Sequence, residues 1–311
     1  MKRNITYVLI FVLVALVAVF AFLSKVFFSP ANLLNIIDQV SIIGIVALGM
    51  AFVILTGGID LSVGSIAAVS GIVLAFFIGK GLPLPVSLLL CAVSGALIGA
   101  LNGFFIGYGK ITPFIVTLGS MSFARGVALF LTDGASVSGL PGNLTGLVNS
   151  YWLGIPFSVY FYLLLAAVCF VFLNLTFWGK YMTALGGNER AAWLSGIRVK
   201  RYKLIAYVIS GTFAAFGSML LVGKLNSAQP QAGNLYELNS IAAVVIGGAS
   251  LSGGRASIIN TVLGTLILGV LQNGFSILNL SSYFQQIFVG FILVGAVFSY
   301  RILNQQSYEK N

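Results

Sequence analysis

Charge is what this sequence lacks most. Only 7% of its 311 residues are charged, while 59% are hydrophobic. A soluble domain carries about 25% charged residues, so a soluble fold of this length has too few polar groups to cover its surface. Histidine is missing altogether, which excludes His-based catalysis and removes the commonest transition-metal ligand. The two cysteines, Cys91 and Cys169, both fall in apolar runs. That placement argues for buried, inert thiols over a disulfide framework. No Gly-Lys-Ser or Gly-Lys-Thr occurs, so there is no phosphate-binding P-loop. Metal-ligand clusters and nucleophile elbows are missing too. The chain is expected to be non-catalytic and to bind no cofactor or metal itself. If it drives active work, the energy comes from an ion gradient or another subunit.

What is present is long apolar runs, such as Ile5 to Leu23 and Ile205 to Val222. They are long enough for helices that cross a hydrocarbon core of about 30 Å. Only helices and closed barrels satisfy every backbone group in lipid, and these runs lack the period-two alternation of a barrel strand. An all-α polytopic membrane protein follows. Its one transmembrane domain is expected to cover 1–311. Ten spans are predicted, at 5–24, 34–56, 62–79, 84–107, 113–132, 157–178, 204–223, 239–254, 257–278 and 284–300. The second carries Asp38 and Gln39 near its start and ends at Thr56-Gly57-Gly58. The eighth is short and glycine-rich, which suits a broken or re-entrant helix. The opening Lys2-Arg3 resembles the start of a signal peptide, but the apolar run exceeds the usual 7–15 residues. An uncleaved first span is expected.

The net charge of +10 would suggest nucleic acid in a soluble protein. Here the basic residues flank apolar spans and set orientation. The connection 179–203 carries Lys180, Arg190, Arg198, Lys200, Arg201 and Lys203, while 133–156 carries no Lys or Arg. Placing the first inside and the second outside puts both termini in the cytoplasm. Lys25, Lys80 and Lys224 then lie at the outer side, and Arg125 lies within a span.

Two stretches resemble each other. GIDLSVGSIAAV (Gly58 to Val69) matches YELNSIAAV (Tyr236 to Val244), each with an acid, Asp60 or Glu237, ahead of Ser-Ile-Ala-Ala-Val. Downstream, GALIGALNGFFI (Gly95 to Ile106) matches GTLILGVLQNGFSI (Gly264 to Ile277), keeping Asn102-Gly103 and Asn273-Gly274. The matching spans run in opposite directions in this topology, as in inverted repeats with the substrate path between the halves. Heavy reuse of Gly, Ala, Ile, Leu and Val is the competing explanation. The 37 glycines are explained mostly by close packing of helix backbones.

Three segments carry function. Asp60 in GGIDLSVGS must face protein or water, because a carboxylate in lipid is costly. Ser62 and Ser65 either cap the next helix or, with Asp60, Asn102 and Asn273, offer hydrogen-bond partners to a polar solute along a translocation path or gate. Arg125 either snorkels or pairs with Asp133. The loop Ser227 to Ser240 either meets a partner or joins two spans. In the connection 179–203, Gly186-Gly187 precede a short helix, Asn188-Glu189-Arg190-Ala191-Ala192-Trp193-Leu194-Ser195, closed by Gly196. Asn188 is the N-cap, Glu189 suits the positive helix start, and Gly196 is the terminator. Trp193 and Leu194 suit insertion into a partner's groove.

At these segments the chain resembles the permease subunits of ABC importers for ribose and related monosaccharides. The resemblance runs from about Leu33 to Ser282, through GMAFVILTGGIDLSVGS, ALGGNERAAWLSGIRVKRYK, SAQPQAGNLYELNSIAAVVIGGASLSGG and NGFSILNLSSYFQQI. GGIDLSVGS marks the broader family, and LNSAQPQAGNLYELNSIAAVVIGG resembles the ribose members. The resemblance implies the vitamin B12-type importer fold, a homodimer in the inner membrane, and two ATPase subunits holding ATP-Mg on the cytoplasmic side. It also implies an extracytoplasmic sugar-binding protein that sets most of the selectivity. The segment Ala184 to Val199 would act as the coupling helix. Permeases for galactose, xylose or autoinducer-2, and an ion-coupled secondary sugar transporter, are the alternatives.

Overall fold

The computed structural model describes residues 2–281, 283–291, 294 and 295. Among these, seven helices are long and apolar enough to cross a membrane. They lie in α1 (Lys2–Leu23), α2 (Pro30–Leu55), α4 (Leu84–Gly107), α5 (Pro113–Thr132), α7 (Phe157–Leu175), α10 (Val199–Leu225) and α12 (Ile258–Ile277). Two further apolar helices are shorter, α3 (Val63–Gly79) and α11 (Tyr236–Ile246). At 1.5 Å per residue the 17 residues of α3 rise about 26 Å and the 11 of α11 about 17 Å, short of a hydrocarbon core. The expected span 62–79 is thus helical along all but its first residue, while 239–254 is helical only to Ile246, with irregular chain after it. The expected span 284–300 lies in part outside the described residues, of which 283–291 are helical.

Local chemistry sets most helix starts. Ser29 caps α2 by accepting from the Asn32 N–H at 3.3 Å, and Pro30 supplies a ready-made first turn. Ser257 caps α12 in the same way, at 3.4 Å from the Asn260 nitrogen. Proline also opens α5, at Pro113.

The core is built on α2 and α10. In the most apolar window of α2, 78% is buried, and in α10 67%, against 11% in α1 and 17% in α5. An apolar helix that is buried all round belongs at the centre of a bundle. Glycines on α4 spaced four apart, Gly95, Gly99, Gly103 and Gly107, all face α10. A Cβ at Gly95 would meet the Gly211 carbonyl, and one at Gly103 would stand 2.6 Å from the Leu204 Cα. The two backbones therefore touch directly, which is how helices gain dispersion energy where lipid offers no hydrophobic drive. Asp38 of α2 receives both Lys224, at the end of α10, and the Ser158 hydroxyl at the start of α7.

The connection 133–156 is folded. Its short strand β1 (Val137–Ser138) pairs antiparallel with β4 (Ser227–Ala228), setting Val137 opposite Ala228. After α6 (Gly142–Val148), β2 (Tyr151–Trp152) and β3 (Ile155–Pro156) form a hairpin. The connection 179–203 also differs from a plain linker. It contains α8 (Phe177–Gly187) and α9 (Glu189–Leu194), and α10 begins five residues earlier than the predicted 204. The early basic residues are good helix formers whose stems lie along aromatic faces. Arg201 sits 5.2 Å from the Trp178 ring centroid and Lys200 5.7 Å from that of Tyr108.

Candidate functional site

The break between α2 and α3 is where the first candidate residues meet. Gly57, at φ 78°, lets the chain leave α2 sharply. Asp60 follows and is wholly buried. Its Oδ1 accepts from the Ser62 N–H at 3.0 Å and the Ser62 hydroxyl at 2.5 Å, and its Oδ2 accepts from the Ser210 hydroxyl of α10 at 2.8 Å. The Asn102 amide of α4 donates to Ser62 Oγ at 2.9 Å. Tyr207 of α10 donates its hydroxyl to the Ile59 carbonyl at 3.3 Å, and Thr117 of α5 reaches the same carbonyl at 3.4 Å. Three helices, α4, α5 and α10, thus hold one irregular turn. A buried carboxylate is tolerable only when its lone pairs are satisfied, and here three donors from two side chains and one amide do so.

The capping expectation for Ser62 and Ser65 is overturned. Ser62 stands at the N-cap position of α3 but makes no side-chain cap bond. Its hydroxyl is committed to Asp60, because a charged acceptor holds a proton more strongly than a backbone amide holds a lone pair. Ser65 is buried and its Oγ has no partner. Asn273 also stands apart from the group. It exchanges two hydrogen bonds with Asn32, at 2.9 and 3.0 Å, tying α12 to the first turn of α2. Ser210 and Tyr207 were missed by sequence reasoning. Each is a single polar residue in a long apolar run, and nothing local marks it as a partner.

Arg125 takes neither expected course. Its guanidinium reaches across to the loop after β4, donating to the carbonyls of Pro230 at 2.5 Å and Ala232 at 2.9 Å, and to Asn234 Oδ1 at 3.2 Å. Three acceptors gathered in one loop within reach of the half-buried guanidinium outweigh a single exposed Asp133. The same loop brings Gly233 onto the backbone of Gly64, where a Cβ on Gly64 would also stand 2.8 Å from Glu237 Oε2. The starts of α3 and α11, which carry the two similar sequence stretches, therefore touch.

The second candidate group is the α8–α9 joint. Asn188 accepts from the Ala191 N–H at 3.0 Å and caps α9 as expected. Gly196, at φ 82°, ends it, and its N–H returns to the Trp193 carbonyl at 3.0 Å. Ala192 faces inward, while Trp193 and Leu194 are 66% and 71% exposed. Glu189 pairs with Lys203 at 2.7 Å. The Ser195 hydroxyl back-bonds to the Ala191 carbonyl at 2.9 Å. A cleft of about 800 Å³ beside α9 is lined by Arg190, Trp193, Lys110, Lys200 and Lys203 among others.

The two groups are joined. Gly186 lies so close to the end of α2 that a Cβ there would collide with the Leu55 carbonyl and the Gly254 nitrogen. The Gly254 N–H itself donates to Leu55 O at 2.9 Å. A smaller cleft of about 340 Å³ is shared by Thr56, Gly57 and Gly58 from the break and by Gly187, Asn188 and Glu189 from the joint. Residues about 130 positions apart in sequence thus form one mechanical connection.

Apolar spanning helices, a buried polar break and a short exposed helix joined to it make this a polytopic membrane protein. A family model described as branched-chain amino acid transport system / permease component matches residues 32–297, and the chain belongs to that family. It is 43% identical to the ribose import permease protein RbsC of Bacillus subtilis (strain 168), covering 93% of this chain and 89% of that protein. It is 39% identical to the ribose import permease protein RbsC of Haemophilus influenzae, covering 92% and 90%. The D-allose transport system permease protein AlsC of Escherichia coli (strain K12) is 35% identical, covering 95% and 91%. No solved structure matches significantly.

Proposed function

We propose that this chain is the permease subunit of an ATP-binding cassette importer for a monosaccharide, with D-ribose as the first substrate to test. The observation that carries the reading is the identity of 39–43% to ribose import permeases along nine-tenths of the chain. The matched family's description names branched-chain amino acids, but the relatives above are named for sugars.

In this reading the permease hydrolyses nothing and holds no cofactor. Two ATPase subunits carrying ATP-Mg act from the cytoplasm on a homodimer, and an extracytoplasmic binding protein delivers the sugar. Trp193 and Leu194 seat in the ATPase, and Gly186 to Gly196 form the coupling segment. Motion of α9 passes through Gly186 to Leu55 and the break at Gly57 and Gly58. Asp60, Ser62 and Asn102 then act as the locked hinge of the gate, linking α3, α4 and α10. The matching stretches around Asp60 and Glu237 support an inverted repeat; ten crossings, a vitamin B12-type arrangement and both termini inside complete this reading.

The test is reconstitution of the permease with its ATPase and binding protein in liposomes, following labelled ribose. ATP-dependent uptake that requires all three is expected, and uptake driven by an ion gradient alone overturns the reading. Orientation is checked with single cysteines in a variant lacking Cys91 and Cys169. Asn143→Cys should react with an impermeant outside reagent and Asn188→Cys should not, both positions being exposed.

A further inference from the structure

The buried amide side chains among the described residues are paired. Asn102 bonds Ser62, Asn32 bonds Asn273, and Asn260 accepts from Thr6 at 2.8 Å. A different arrangement is a cleft of about 250 Å³ where Asn239 of α11, Gln272 of α12, and Gln285 and Gln286 of the helical segment 283–291 converge. Among the described residues, the one side-chain hydrogen bond these four make is Gln272 Nε2 to Asn239 Oδ1, at a long 3.5 Å. Each amide offers two donors and two acceptor lone pairs, so most of that capacity is uncommitted.

Position makes this arrangement informative. Gln272 lies five residues before the end of the 20-residue α12, about 7.5 Å from it at 1.5 Å per residue, and its neighbour Asn273 pairs with the first turn of α2. Amides at this edge of the bundle are placed to meet water, protein or a polar ligand. No charged side chain lines the cleft, and Leu238 and Val289 provide apolar walls. An anion or an ammonium would find no counter-charge there. A neutral polyhydroxylated molecule suits it, because each hydroxyl both donates and accepts, as an amide does. The sugar's C–H face would rest on Leu238 and Val289. The repeat adds an independent point. Aligning the Ser-Ile-Ala-Ala-Val stretches places Asn239 opposite Gly64, and Gly64 is sealed against Gly233. The first copy is closed at this position, and the second presents an amide.

We infer that Asn239, Gln272, Gln285 and Gln286 form a low-affinity binding subsite for a neutral monosaccharide on the translocation route. The inference rests on the sugar-permease reading and names where this chain itself touches the sugar. The test uses the complete reconstituted complex. Gln272→Leu combined with Gln285→Leu should lower uptake per assembled permease about tenfold, while ATPase hydrolysis stimulated by the binding protein stays near wild type. A second variant protects against a folding artefact: Gln286→Cys in the chain lacking Cys91 and Cys169. It should react with a water-soluble thiol reagent, and ribose-driven turnover should slow that reaction. Absence of labelling, or labelling at the same rate with and without ribose, overturns the subsite. So does wild-type uptake in the double leucine variant. A wild-type complex that moves no ribose, allose or galactose instead overturns the functional reading, and the subsite with it.

Discussion

The break around Asp60 and the helix α9 are both short polar interruptions between long apolar helices, yet their chemistry is opposite. At the break every strong polar group turns inward, and the Asp60 carboxylate takes three hydrogen bonds without touching solvent. At α9 the backbone is satisfied by its own caps, and the two largest apolar side chains, Trp193 and Leu194, point outward. The first is an internal joint that resists deformation as a unit. The second presents an exposed apolar pair whose shape suits a partner's groove. The two are linked at Gly186 by backbone contact, so in the proposed reading a force on α9 would reach the break without passing through a compressible side chain.

The comparison breaks most visibly at the anchor. Truncating an interface anchor commonly costs 2 kcal/mol or more, roughly a 30-fold loss of affinity. Trp193→Ala with Leu194→Ala should therefore weaken ATPase co-purification by about that factor and abolish coupled uptake, with membrane insertion intact. Unchanged co-purification, hydrolysis and uptake would reduce α9 to a linker.

The link comes next. Gly186→Val forces atoms between Leu55 and Gly254, and overpacking of this kind costs about 1–3 kcal/mol. Uptake should fall about tenfold while the ATPase stays attached, so that hydrolysis is retained without transport. If hydrolysis and uptake remain coupled, the two regions work independently.

A smaller effect is expected at the joint. Asp60→Asn keeps the shape but replaces one charge-assisted acceptor with a donor, a difference of about 1–1.5 kcal/mol for one bond. Uptake per permease, measured against immunoblotted abundance, should drop several-fold. Equal loss of abundance and uptake would make the cluster purely structural. The smallest effect belongs to Glu189→Gln. Exposed ion pairs contribute about 0–1 kcal/mol, so losing the Glu189–Lys203 pair should change uptake less than twofold. A larger loss would mean that Glu189 itself meets the partner.

Much of this was legible in the chain. The apolar runs at 84–107, 113–132 and 257–278 became helices within a residue or two of those bounds, because a window of 20 apolar residues has few other options. Asn188 and Gly196 announced the ends of α9 for local reasons of capping and positive φ. The serines of GGIDLSVGS were harder. As near neighbours of a helix start they read as caps, and the competing acceptor, Asp60, was visible two residues away without its geometry. Arg125 was harder still, since its partners lie more than 100 residues further on.

The sequence by itself determined that this is a helical membrane protein with short polar interruptions, since hydrocarbon length, charge scarcity and helix capping act within a few turns of chain. Tertiary structure alone decided that Asp60 meets Ser210, that Asn273 turns to Asn32, that Gly186 abuts Leu55, and that four amides gather at one cleft. Those outcomes depend on which helices lie side by side and at what rotation. That choice is made by many small packing contacts, such as the glycine seam of α4 on α10, and no single residue carries it.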